Sequence, residues 1–150
     1  MSSGNEGAGT KHAVTSEREN VEKIRRRKLA VLVVDDDPSL RKAMSLVLRR
    51  KYGAEVGIAE SAPEATQRLR ADDPYDLIFL DIMMPGPSGV DAYPEILALS
   101  GGATIVVMSA YPDSEEWGRA KELGVELVSK PIPEKVLERL LLQQVEGFDG

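Results

Sequence analysis

The chain has 150 residues, 42% of them hydrophobic, which is material for one folded domain, and no apolar run approaches the roughly 20 residues that span a bilayer. It contains no cysteine, so disulfides and thiolate metal sites are excluded and any metal must be held by oxygen. The net charge of −6 is uneven: residues 1–28 carry 7 basic and 4 acidic side chains, leaving 12 basic and 21 acidic for residues 29–150. An acidic domain of this kind is not built to displace counterions from nucleic acid, and neither nucleic acid nor membrane insertion is expected. The start, Met1-Ser2-Ser3-Gly4-Asn5, lacks the charged-then-apolar order of a secretory leader, and the expected location is cytoplasmic.

Residues 1 to about 15 are poor in large apolar groups and read as a disordered tail that includes His12, the only histidine. Ser16 to Lys28 is charged, with Val21 and Ile24 as its apolar points, so residues 1–28 are expected to be a flexible flank, in part helical. Its basic run Arg25-Arg26-Arg27-Lys28 reads as a solvated face with no assigned role. From Leu29 the pattern changes. Leu29 to Val34 is a continuous apolar run of the kind buried on both faces of a parallel sheet. It ends in Asp35-Asp36-Asp37, with Asp37 placed to cap a helix that opens on Pro38 and carries Leu40, Ala43, Met44, Val47 and Leu48 at helical spacing.

The alternation then continues. A strand is expected over 54–59, a helix opened by Ser61 and Pro63, and a strand from Asp76 to Leu80 that ends at Asp81. After the Pro85–Gly89 loop come a helix to Leu99, a strand over 104–108, a helix over 113–123, a strand over 125–128 and a last helix from about Pro133, with a short tail at 146–150. Five strand and helix pairs in strict alternation predict an α/β fold, a doubly wound parallel sheet with five helices on its two faces. In such sheets ligands sit at the carboxyl ends of the strands. That is where Asp35, Asp36, Asp81, Ser109 and Lys130 fall. Three carboxylates brought together repel one another unless a cation neutralises them, and a hard ion such as Mg²⁺ suits an all-oxygen set. Each residue alone has a plain explanation as a helix cap or an exposed polar group. Their joint occurrence at four strand ends favours chemistry.

The segments Val33-Val34-Asp35-Asp36-Asp37-Pro38, Leu80-Asp81-Ile82-Met83-Met84-Pro85 with Gly89, Met108-Ser109-Ala110 and Ser129-Lys130-Pro131 resemble the receiver domains of two-component response regulators over residues 29 to 145. The resemblance implies a flavodoxin-like sheet with strand order 2-1-3-4-5. It implies phosphorylation of Asp81 by a histidine kinase or histidine phosphotransfer protein, in a reaction the domain itself catalyses with Mg²⁺. It assigns metal binding to Asp35, Asp36, Asp81 and the Met83 carbonyl, and phosphoryl binding to Ser109, the Ala110 N–H and Lys130. A downstream protein would read the resulting change, and its identity is open. Where the family usually has an aromatic three residues before the lysine, this chain has Leu127. Tyr111 lies where it could stand over a phosphoryl group, and Trp117 is expected to pack on the sheet. Two rival readings fit less well. A haloacid dehalogenase-type phosphohydrolase would want a second Asp where Met83 stands, and a degenerate receiver serving only as a docking module should have lost the acceptor, a metal ligand or the lysine.

Overall fold

A computed structural model of the chain describes residues 16–72 and 74–149. The expected tail over 1–15, with His12, lies outside the described residues. The chain begins with helix α1 (residues 16–27) and continues as β1 (Ala30–Val34), α2 (Pro38–Arg50), β2 (Glu55–Ala59), α3 (Ala62–Ala71), β3 (Leu77–Asp81), α4 (Gly89–Leu99), β4 (Thr104–Ser109), α5 (Glu115–Glu122), β5 (Glu126–Ser129) and α6 (Glu134–Asp149). All strands are parallel, in the order β2-β1-β3-β4-β5. The described residues thus hold six helices where five were expected. The sixth is α1, and α6 runs on to Asp149 through the segment expected as a tail.

Alternation along the strands divides the core between the two faces of the sheet. Val31, Val33, Phe79, Val106 and Met108 pack with Met44 and Leu48 of α2 and with Leu137, Leu140 and Leu141 of α6. Leu32, Val34, Ile78, Leu80 and Val107 pack on the other face with Ala65, Ile96 and Ala120 of α3, α4 and α5, and Trp117 is half-buried against that layer. Short polar caps set the helix starts. Asp37 accepts from the Ser39 N–H, and Ser61, Ser88 and Ser114 cap α3, α4 and α5 in the same manner.

Helix α1 belongs to the first layer. Ile24 is fully buried, and Val21 packs against the same cluster. The Arg25 guanidinium donates to the carbonyls of Arg50 and Lys51, both at 2.9 Å, and so satisfies two acceptors left open at the C-terminal end of α2. Below it, the fully buried Tyr52 donates its hydroxyl to Glu138 of α6 at 3.0 Å. On the opposite face Tyr75, hydrogen-bonded to Asp72, lies across β2 at Gly57. A Cβ built at Gly57 would collide with the Tyr75 hydroxyl and stand 3.1 Å from its Cζ.

Candidate functional site

The strand register assembles the site. Val34 is level with Leu80, Asp81 with Met108, and Ser109 with Ser129, so the residues that follow these positions emerge side by side. Asp35 is fully buried and Asp81 is 1% exposed, whereas Asp36 is exposed, yet the three carboxylates each bring an oxygen within 4.8 Å of the others. Lys130 reaches in from the end of β5, with Nζ 2.8 Å from Asp35 Oδ2 and 3.1 Å from Asp81 Oδ2. The remaining oxygens of both buried carboxylates accept from the turns that follow them. Asp35 Oδ1 takes the Asp37 N–H at 2.8 Å, and Asp81 Oδ1 takes the Met83 N–H at 3.1 Å. Every oxygen of the buried pair therefore has a fixed partner.

The electrostatics are unbalanced, because three carboxylates face one ammonium. Burial, and then the charge of Asp35, push the Asp81 carboxyl up from the usual 3.8 to about 6, against the opposing effects of the Met83 N–H and Lys130. Burial works against the charged form of Lys130, but its bond to Asp35 and the charges of Asp81 and Asp35 outweigh that, so its pKa is raised and it stays an ammonium at neutral pH. A cluster of hard oxygen donors with surplus negative charge fits a small divalent cation.

The other expected residues line the rim. Ser109 is fully buried and its Oγ accepts from the Tyr111 N–H at 2.9 Å, while its carbonyl accepts from the Lys130 N–H at 2.8 Å, tying the end of β5 to β4. Ala110 is exposed, and the Tyr111 side chain is 62% exposed. The Met83 side chain is 40% exposed, with its backbone held in the turn after Asp81. Leu127 is level with Val107 and half-buried in the second core layer. The Lys130-Pro131 peptide bond is cis.

Sequence reasoning missed Arg41, which donates from Nη1 to the Asp35 carbonyl at 2.7 Å. The available signal was its place one helical turn after the capping Asp37. Gly89 was noted only as part of a motif, and the structure gives its reason. Its N–H donates to the Ile82 carbonyl at 3.0 Å, and a Cβ there would strike the Asp81 carbonyl oxygen and sit 2.8 Å from Ile82 Cα. Gly89→Ala must therefore push the acceptor turn aside. The expected result is a loss of about 1–3 kcal/mol in urea unfolding, and an unchanged midpoint would show that the turn yields freely.

The family model for the response regulator receiver domain matches residues 31–142, which takes in every one of these site residues. The chain belongs to the response regulator receiver family. Among curated relatives, the DNA-binding response regulator MtrA of Mycolicibacterium smegmatis is 36% identical over 110 residues, covering 71% of this chain and 46% of that protein. The chain thus spans about half the length of this relative. Among solved structures, a two-component response regulator from Clostridium difficile superposes with a TM-score of 0.72 at 21% identity, covering 81% of this chain and 99% of that one. The receiver domain of a sensor histidine kinase from Pseudomonas aeruginosa, whose structure has a magnesium ion coordinated in the active site cleft, superposes with a TM-score of 0.69 at 23% identity over 79% of this chain and 98% of that one. At these identities the two structures establish the receiver fold, which the strand order of this chain reproduces. No helix among the described residues is long and apolar enough to cross a membrane.

Proposed function

We propose that this receiver takes a phosphoryl group onto Asp81 from a phosphohistidine of a sensor histidine kinase or histidine phosphotransfer protein, and that the phosphorylated form binds a downstream protein differently. The observation that carries the reading is the buried Asp81 carboxylate at the end of β3, with Lys130 at 3.1 Å and two further carboxylates within 4.8 Å. No structural purpose calls for three carboxylates at one strand edge. An Asp81 oxygen attacks phosphorus in line, the O–P bond forms as the P–N bond breaks, and the electron pair returns to the departing imidazole. The domain supplies the nucleophile and catalyses its own phosphorylation and dephosphorylation, with no substrate turned over beyond that.

Asp36, Asp81 and the Met83 carbonyl would hold a Mg²⁺ ion directly, and Asp35 through water. A bound Mg²⁺ supplies positive charge against the developing charge of the phosphoryl oxygens. Lys130 is already aimed at Asp81 and supplies the second cation, exchanging its carboxylate partner for a phosphoryl oxygen. The Ser109 hydroxyl and the Ala110 N–H bind the remaining oxygens after transfer. To do so Ser109 Oγ swings toward Asp81, and its present bond from the Tyr111 N–H must loosen. That movement reshapes the loop after β4 and shifts the population of surfaces around it. With such a donor, the location that goes with this reading is the cytoplasm.

A second reading, a phosphorylation-independent docking module, draws on Leu127, which lacks the ring whose rotation usually accompanies the serine. One experiment separates the two. The protein is incubated with a small-molecule phosphodonor, with and without Mg²⁺, and its intact mass is measured beside Asp81→Asn. One phosphoryl group gained only with the metal and only by the parent is the expected result. No gain by a folded parent, or an equal gain by the variant, would sink the proposal.

A further inference from the structure

An open groove of about 460 Å³ lies between α2 and the outer edge of β2. Arg41, Lys42, Ser45, Leu46, Arg49 and Ile58 are the lining residues that matter, Arg50 adds a fourth cation, and no carboxylate lines it. Helix α2 contains no acidic residue at all, in a domain whose sequence from residue 29 onward carries 21 acidic side chains against 12 basic. Two of the cations have a plain explanation. Arg49 and Arg50 stand in the last turn, where the helix dipole favours positive charge. Arg41 and Lys42 lie toward the other end, where that dipole gives a cation nothing. The hydrogen bonds of Arg41 and Arg49 go to carbonyls, of Asp35 at 2.7 Å and Val56 at 3.1 Å, which leaves their charge in place. Glu60, exposed, stands 3.8 Å from Arg41 at the margin of the groove.

Among the described residues no strand pairs with the outer edge of β2, which the groove adjoins. The Glu55 N–H donates to the Leu29 carbonyl and the Ala59 carbonyl accepts from the Asp35 N–H, so these residues face β1. In a parallel ladder the alternate residues, Val56 and Ile58, then direct their backbone groups outward. Arg49 occupies the Val56 carbonyl. Ile58 remains as a half-buried position beside Leu46, which is 46% exposed.

We propose that this groove docks an extended acidic segment of a partner protein, which pairs its backbone with Ile58 at the free edge of β2. Its carboxylates lie among Arg41, Lys42, Arg49 and Arg50, and an apolar side chain between them covers Leu46 and Ile58. Charge complementarity selects an acidic segment. The strand edge requires an extended one, and the apolar floor asks for alternation of acidic and apolar side chains. Because Arg41 also holds the Asp35 carbonyl, an occupant here touches a residue that braces the acidic site. Docking does not depend on phosphorylation of Asp81.

The test uses the whole chain and a short fluorescein-labelled peptide of alternating glutamate and valine, followed by fluorescence anisotropy and backbone amide spectra. Saturable binding is expected, with amide shifts at Val56 and Ile58. Joint reversal of Lys42→Glu, Arg49→Glu and Arg50→Glu should weaken it about tenfold or more, and Lys135→Glu on α6 should leave it unchanged. The urea midpoint of the triple variant establishes that it is folded. A peptide with N-methylated backbone amides should lose binding. The proposal is overturned if the parent does not bind the peptide, if the shifts fall elsewhere, or if the triple reversal is silent. Tighter binding of duplex DNA or of phosphatidylglycerol vesicles at the same residues would overturn it in favour of a different anion.

Discussion

Without divalent cation, Asp81→Asn is expected to be more stable than the parent at neutral pH, by up to about 3 kcal/mol, and to match it below about pH 4. The folded-state pKa of Asp81, about 6, lies above its usual 3.8, so between these values the folded chain holds a proton that the unfolded chain has released. Stability therefore falls as pH rises through that window, and the whole penalty is present above it. Asparagine keeps the shape, still accepts from the Met83 N–H, and carries no charge to desolvate beside Asp35. Lys130 loses one partner but retains Asp35 at 2.8 Å. Urea midpoints of both proteins across the acid-to-neutral range measure the difference. Mg²⁺ should narrow it by stabilising the parent. A variant that is less stable than the parent at neutral pH would mean that the Lys130 pairing outweighs burial.

Starting the chain at Leu29 rather than Ser16 is expected to remove several kcal/mol of a total stability of about 5–15 kcal/mol. The family model begins at residue 31, which makes such a truncation a natural choice. It would discard Ile24, fully buried among Leu29, Leu48 and Tyr52, together with Val21 beside it. Replacing a buried isoleucine by alanine already costs about 2–5 kcal/mol. The truncation also strips Arg25 from the Arg50 and Lys51 carbonyls. Ile24→Ala in the full chain isolates the apolar part, and Arg25→Ala isolates the cap. An unchanged urea midpoint for the shortened chain would show α1 to be dispensable.

The sheet and the site were legible because an apolar run that stops on a polar residue marks both a buried strand and its carboxyl end. Asp35, Asp81 and Ser109 each follow or close such a run, Lys130 comes just after the strand end at Ser129, and parallel topology brings carboxyl ends together, so sequence distance became proximity. Helix α1 was far less legible. It offers two apolar positions among charges, and its stability comes from a core shared with residues distant in sequence such as Leu48 and Tyr52, which no local pattern encodes. Arg25 was read as one of four solvated cations, yet its guanidinium is directed at carbonyls 25 and 26 residues away in sequence. Arg41 escaped for a related reason. A basic residue on an exposed helix face looks the same whether or not it bends back to a backbone oxygen.

The meeting of Gly57 and Tyr75 bears on how this sequence can drift. The tyrosine fills the space that a side chain at position 57 of β2 would need, so the two positions hold a single volume between them. Alanine at 57 is hostile while the ring stands there and tolerable once it has been cut back, whereas shrinking the ring first leaves only a hollow. Changes at this pair are not additive. One order of substitution passes through a crowded intermediate and the other through a loose one.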